Sequence, residues 1–293
     1  MTTARRHHLV PRFYLRRFAN ADGRLWVFDK ARQRAFRSSA QSIAVESGFY
    51  ASASLQGTPE GPLFLEAQFA ALESEAAQVL ECWTDQATGS DRVEIPTVNR
   101  EVMSLYLVTQ LLRTAAQRNL LVEFVRKHPA VDTNAEASVL ADVADAHARL
   151  LCDDVVQALA DTLQSFIWVF ARNQSGTPFW ISDQPVVLED GASKQWLSTP
   201  SLARRGVQLL FPISPWLILY CMEPHHWAKL GAFGDRVSPV EFVGAMVDHE
   251  NSGQVGMSKR FVFSCEGDFA FARLYCDMHP EIADPDRERL MPA

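Results

Sequence analysis

Phe166-Ile167-Trp168-Val169-Phe170 is the stretch at which the hydrophobic pattern of this 293-residue chain changes period. Five aromatic or β-branched residues in a row suit a buried strand. Upstream, apolar residues recur at helical spacing; downstream they come in short runs bounded by turn residues. A block of helices followed by a block of strands implies an α+β fold. The expectation is central buried helices packed against a mostly antiparallel sheet, with a small N-terminal hairpin. No repeat or long linker interrupts the chain, so 1–293 reads as a single domain, helical over about 63–165 and strand-rich over about 166–280.

Working outward, Leu65, Phe69, Leu72, Ala76 and Val79 predict a helix over roughly 63–84. Thr97 is placed to cap a second, roughly 98–127, which is apolar on almost every side and stops at His128-Pro129. A third covers about 135–164, with Asp142, Asp145 and Asp161 outside. Strands are expected at Phe179–Ile181, Pro185–Leu188, Gln208–Phe211, Leu217–Tyr220 and Arg260–Ser264, and a helix over Val240–Met257. Near the start, Leu25–Phe28 and Arg34–Arg37 form the hairpin, and Ser42–Tyr50 leads into a Ser/Gly/Pro-rich loop, 51–62.

Composition narrows the function classes. Hydrophobic residues make up 47% and charged residues 22%, as in ordinary globular domains, which argues against long disorder. A net charge of −7 argues against binding nucleic acid over the whole surface. Arg5, Arg6, Arg12, Arg16 and Arg17 form a local basic cluster that either touches phosphates or solvates the opening segment. Five cysteines without a CxxC pair fit reduced thiols. No apolar stretch follows Arg5-Arg6, and the longest apolar run, 206–222, is broken by Pro212 and Pro215. The expectation is a soluble cytoplasmic protein with no membrane partner.

The candidates for chemistry begin with His7-His8-Leu9-Val10-Pro11, followed by Phe13, Tyr14, Leu15 and Phe18. A segment this aromatic folds into the body and carries its imidazoles with it, and imidazole is the side chain most easily tuned for proton transfer near neutral pH. His8 is the expected acid/base, with His7 its solvent-facing neighbour. Gln110 and Arg113 share a helix face. A buried guanidinium must meet either an internal carboxylate or an anionic ligand. Glu66 and Glu73, two turns apart, are its candidate partners, and Glu73 or Asp183 a candidate orienter of His8. Asp183, after the strand Phe179–Ile181, either caps its own turn or enters a cleft. Asn251 and Gln254 share a face of the late helix. Candidate catalytic residues are thus His8, Asp183 and Glu73; candidate substrate-binding residues are Arg113, Gln110, Tyr14 and Asn251. No HxxxH or HxH spacing occurs, so no metal site is assigned, and no cofactor is named. The absence of GxSxG, GxGxxG, a Walker loop and HExxH removes the commonest hydrolase, dinucleotide and phosphate-loop readings.

These residues resemble a bacterial domain-of-unknown-function family, number 4238. The likeness rests on H-x-V-P-x-x-Y-L-x-x-F (His8, Val10, Pro11, Tyr14, Leu15, Phe18), Phe49-Tyr50 ending a loop, and an E-x6-E helix (Glu66, Glu73). Further on come Q-x-x-R-T (Gln110, Arg113, Thr114), the Phe179/Ser182-Asp183/Pro185 element, Pro212–Pro215 and Asn251. The resemblance implies that His8, Arg113 and Asp183 belong to one recurrent constellation; it implies no reaction. The opening also resembles the start of an HNH nuclease motif, whose later Asn and His do not follow. The expected function is an enzyme performing hydrolysis or group transfer on a phosphate- or carboxylate-bearing small substrate. The alternatives are a nucleic-acid-processing protein of nuclease or toxin/defence type, and a noncatalytic ligand-binding or interaction protein.

Overall fold

The structure, a computed structural model, describes residues 6–47, 49, 62–127, 136–151 and 154–289. It opens with β1 (Arg6–His8) and the short helix α1 (Arg12–Arg16). The hairpin follows as β2 (Leu25–Asp29) and β3 (Arg34–Ser38), joined through Gln33 in the left-handed region at φ 49°. Then come β4 (Val45–Ser47), paired antiparallel with β1, and α2 (Pro62–Gly89).

The expected 98–127 helix is two, α3 (Thr97–Leu112) and α4 (Ala115–Arg126). The break falls at Thr114, whose backbone is extended and whose hydroxyl accepts the Gln117 N–H at 3.2 Å. A β-branched hydroxyl residue gains a capping bond there that it lacks inside a helix. The expected 135–164 helix is also two, α5 (Glu136–Leu150) and α6 (Asp154–Gln164). The His128-Pro129 stop lies outside the described residues.

The strand-rich part contains β5 (Ile167–Arg172), β6 (Ile181–Ser182), β7 (Val187–Asp190), β8 (Gln195–Leu197), β9 (Val207–Ser214), β10 (Leu217–Met222) and β11 (Arg236–Val237). It closes with α7 (Gly244–Met257), β12 (Phe261–Ser264) and α8 (Ala270–Met278), a helix the sequence reading did not expect. One sheet runs β11-β5-β10-β9-β7-β8 and is antiparallel except for β11 against β5. The second, β3-β2-β12-β6, extends the early hairpin with strands from the far end of the chain. Arg260 holds that seam by donating to both oxygens of Asp29, at 3.0 and 2.7 Å.

One hydrophobic core reaches from Leu9 to Phe263 and joins the helices to the six-stranded sheet. At its centre the fully buried Trp83 of α2 meets Trp168 and Phe170 of β5 edge-on, at 5.9 and 5.4 Å between ring centres. Each tryptophan takes about 150–250 Å² out of water, roughly 4–6 kcal/mol of hydrophobic stabilisation before ordering costs.

The opening segment is fastened into this core. Tyr14, Leu15 and Phe18 are wholly buried. The Tyr14 ring stacks on Phe211 at 4.8 Å, and its hydroxyl donates to the Pro212 carbonyl at 2.5 Å. Arg17 donates to the Ile213 carbonyl at 2.8 Å, to Glu81 at 3.0 Å and to Thr84. At the other end of the fold, the last carbonyls of α7 are stopped by basic side chains. Lys30 donates to Val255 and Ser258, Arg287 to Gly256, and Arg289 to Met257 and Ser258. Helix C-termini present unsatisfied carbonyls and partial negative charge, which these side chains answer. Among the described residues no helix is long and apolar enough to cross a membrane.

Candidate functional site

The polar constellation foreshadowed by the opening segment forms along one face of α2. Glu66 and Glu73 stand seven residues apart, two turns or about 10 Å. His7 Nε2 lies 2.8 Å from Glu66, and Arg113 Nη1 lies 2.8 Å from Glu73. Phe69, between the two carboxylates, places its ring 5.2 Å from the Arg113 guanidinium. The pairing of β1 with β4 fixes which imidazole takes part. Successive strand residues point to opposite faces, and the one turned toward α2 is His7. The side chain of His7 is buried and His8 is half-buried, the reverse of the expected arrangement.

Arg113 ends α3 and is 1% exposed, so its charge is compensated by Glu73 inside the protein. Gln110 and Tyr106 precede it by three and seven residues, on the same helix face. Both are buried, and among the described residues neither the Gln110 amide nor the Tyr106 hydroxyl has a hydrogen-bond partner. Burial pushes the Tyr106 phenol up, with Arg113 and Glu73 close enough to act on it electrostatically. Below them, His147 Nε2 lies 2.9 Å from the Leu112 carbonyl, and burial pulls that imidazole down to about 4.

The other expected site residues have structural attachments. Among the described residues Asp183 meets no imidazole: its carboxylate accepts three backbone N–H groups, from Lys259 at 2.7 Å, Arg260 at 2.7 Å and Phe261 at 2.9 Å. It borders a depression of about 470 Å³ shared with Leu9, Val45 and Ala115. Asn251 accepts the Trp180 N–H at 2.8 Å and donates to the Pro178 carbonyl at 3.1 Å. Gln254 bridges Ser182 and the Pro185 carbonyl at 2.9 and 3.1 Å. These amides bind α7 to the segment before β7. Tyr14 is committed to Pro212 inside the core.

The family model described as "Protein of unknown function (DUF4238)" matches residues 6–268. The chain belongs to this family. Within the family span lie every residue of the α2 constellation and the Asp183 and Asn251 attachments. The chain has no match among curated proteins or solved structures.

Sequence reasoning passed over a second group in this family member, Glu189, His249 and Glu250, which line one cavity. The available signal was Glu189-Asp190 closing the apolar run Pro185–Leu188, where charge interrupts a buried strand.

Proposed function

We propose that this chain is a cytoplasmic enzyme performing hydrolysis or group transfer on a small substrate that bears a phosphate or carboxylate. The His7–Glu66 pair is the acid/base: a carboxylate at 2.8 Å orients the ring. Arg113, positioned by Glu73, receives the substrate anion; a guanidinium carries five donors and can serve an internal carboxylate and a ligand oxygen together. The observation that carries this reading is the buried Gln110 amide with the Tyr106 hydroxyl beside it. Buried polar groups without partners cost about 1–3 kcal/mol each, and proteins retain them where a ligand or water completes the bonds. The unpaired thiols of Cys221 and Cys276, both buried, support the reducing compartment.

The test is turnover of mono-p-nitrophenyl succinate, a carboxylate-bearing ester, and p-nitrophenyl phosphate by the wild type and by His7→Gln, His8→Gln and Gln110→Leu, each with its melting temperature. The reading expects turnover of one substrate, a loss of about a hundredfold or more in kcat for His7→Gln, and a raised KM for Gln110→Leu. His8→Gln retains most of the rate. Wild-type kcat in His7→Gln, or no turnover of either substrate, overturns it.

A further inference from the structure

We propose that the cavity between α7 and the six-stranded sheet is a binding site for small apolar amines, with the Glu250 carboxylate receiving the ammonium group. The cavity measures about 350 Å³, near the lower bound for ligand pockets. Strand alternation builds its floor: Val169 and Ala171 of β5 lie on one face, beside Tyr220 and Met222 of β10. The register then sets Gln208 of β9 next to Met222, and Glu189 of β7 next to Gln208. From above, Met246, His249 and Glu250 reach down from α7 at positions i, i+3 and i+4, one helix face. Phe233, Val240 and Phe242 complete an apolar wall.

The polar end holds two carboxylates in different states of satisfaction. Glu189 accepts His249 Nε2 at 2.7 Å and the Gln208 amide, with Lys194 Nζ at 3.5 Å. Its charge is therefore answered from three sides, and these partners hold it below the usual carboxylate range. Glu250 is nine-tenths buried. Glu250 lines the cavity; its Oε1 accepts the Tyr220 hydroxyl at 2.7 Å, while its buried Oε2 has no partner among the described residues. An ionised carboxylate is an acceptor only, so the group that completes it is a donor, and an ammonium brings the compensating charge as well. A ligand carboxylate in the same place would face Glu189 and Glu250 together. The aromatic rings of Tyr220, Phe242 and Trp227 suit a cation on an apolar body.

The helix above is shaped to hold this geometry. A Cβ at Gly253 would lie 2.7 Å from the Trp196 indole, so glycine lets that ring pack against α7. Trp196 then lies 5.1 Å from the His249 ring and donates to Ser252 at 3.1 Å, fixing the imidazole against Glu189.

The site also carries a pH signature. Burial pushes Glu250 up to about 7. Tyr220 of β10, Glu189 of β7, His249 of α7 and Lys194 of the β7–β8 turn are the ionisable groups that act on it. An amine must hold Glu250 ionised, so its affinity falls about tenfold from pH 8 to pH 6 as the carboxyl takes a proton; His249, whose hydrogen bond to Glu189 raises its pKa, repels the ammonium further in its charged form.

The probe is 2-phenylethylamine, with 2-phenylethanol and 3-phenylpropionate as neutral and anionic isosteres, titrated calorimetrically into the full chain. The expected result is amine binding at least tenfold tighter than the alcohol, with no carboxylate binding. Glu250→Gln reduces amine affinity at least tenfold and leaves the alcohol unchanged. Val240→Trp, at an exposed rim position, blocks both and keeps the test in force if Glu250→Gln does not fold. His7→Gln leaves amine binding intact, which separates this site from the α2 constellation. Alcohol or carboxylate binding as tight as the amine, unchanged amine affinity in folded Glu250→Gln, or no amine binding at millimolar concentration overturns the proposal.

Discussion

Lys30 offers a quantitative test of the fold, because a buried amine ties stability to pH. The side chain is wholly buried, and Nζ donates to the Val255 carbonyl at 2.7 Å and the Ser258 carbonyl at 3.0 Å. Burial first, and then the nearby Arg287 charge, pull its pKa down from 10.5 to about 7, against the opposing pull of Asp183. The unfolded chain therefore binds a proton that the folded chain lacks at every pH between about 7 and 10.5. Stability rises with pH across that window. The slope approaches 1.4 kcal/mol per unit, giving about 2 kcal/mol between pH 7.5 and 9. Lys30→Met removes the titration. Its cost is limited, because both carbonyls keep another donor: Ser258 Oγ on Val255 and Arg289 on Ser258. Urea denaturation of wild type and variant at pH 7.5 and 9 gives the difference of differences, in which all other titrating groups cancel. The expected outcome is a wild-type gain over the variant of about 1–2 kcal/mol from pH 7.5 to 9. A variant whose stability follows pH in parallel with the wild type would refute the assignment of a neutral amine to the end of α7.

Three further outcomes follow from other buried polar groups. His147 is neutral when folded, with its pKa near 4, while the unfolded imidazole titrates near 6.5. Stability therefore falls as pH drops from 6.5 to 4, by at most about 3 kcal/mol, and His147→Leu flattens that part of a denaturation–pH profile. Asp183→Asn loses the charge that three backbone N–H groups surround and costs about 1.5–3 kcal/mol; a loss below 0.5 kcal/mol in urea denaturation contradicts that role. Thr114→Ala removes the cap that starts α4 and costs about 1 kcal/mol, read as a lowered melting temperature with the α2 constellation unaffected.

The change of period at Phe166 was legible because core contacts and periodicity agree there. Trp168 and Phe170 pack on Trp83 as a buried strand must pack on helices. The break at Thr114 was not legible, since Leu111, Leu112, Ala115 and Ala116 keep the apolar pattern running through it. Only the competition between a helical backbone and a threonine cap reveals it. The pairing of Arg113 with a glutamate of α2 was foreseeable from charge burial alone, whereas the choice of His7 over His8 depends on the orientation of a three-residue strand set by its pairing with Val45–Ser47. Asp183 stood between two readings because a strand-end carboxylate serves equally well as a turn cap and as a site residue. The Lys259–Phe261 backbone that decides between them comes 76 residues later. Glu250 looked like an ordinary helical glutamate. Its burial exists only once α7 lies on β10.

The fastening of the opening segment also has a consequence in time. Tyr14 and Arg17 find their carbonyl acceptors on Pro212 and Ile213, 198 and 196 residues further along. At translation rates of roughly 5–20 residues per second, that separation is about 10–40 s of synthesis. During this interval Tyr14 and Arg17 are outside the ribosome without the β9 strand that receives them. A nascent chain that displays this aromatic segment while its receptor strand is still unmade is a natural client for a holding chaperone.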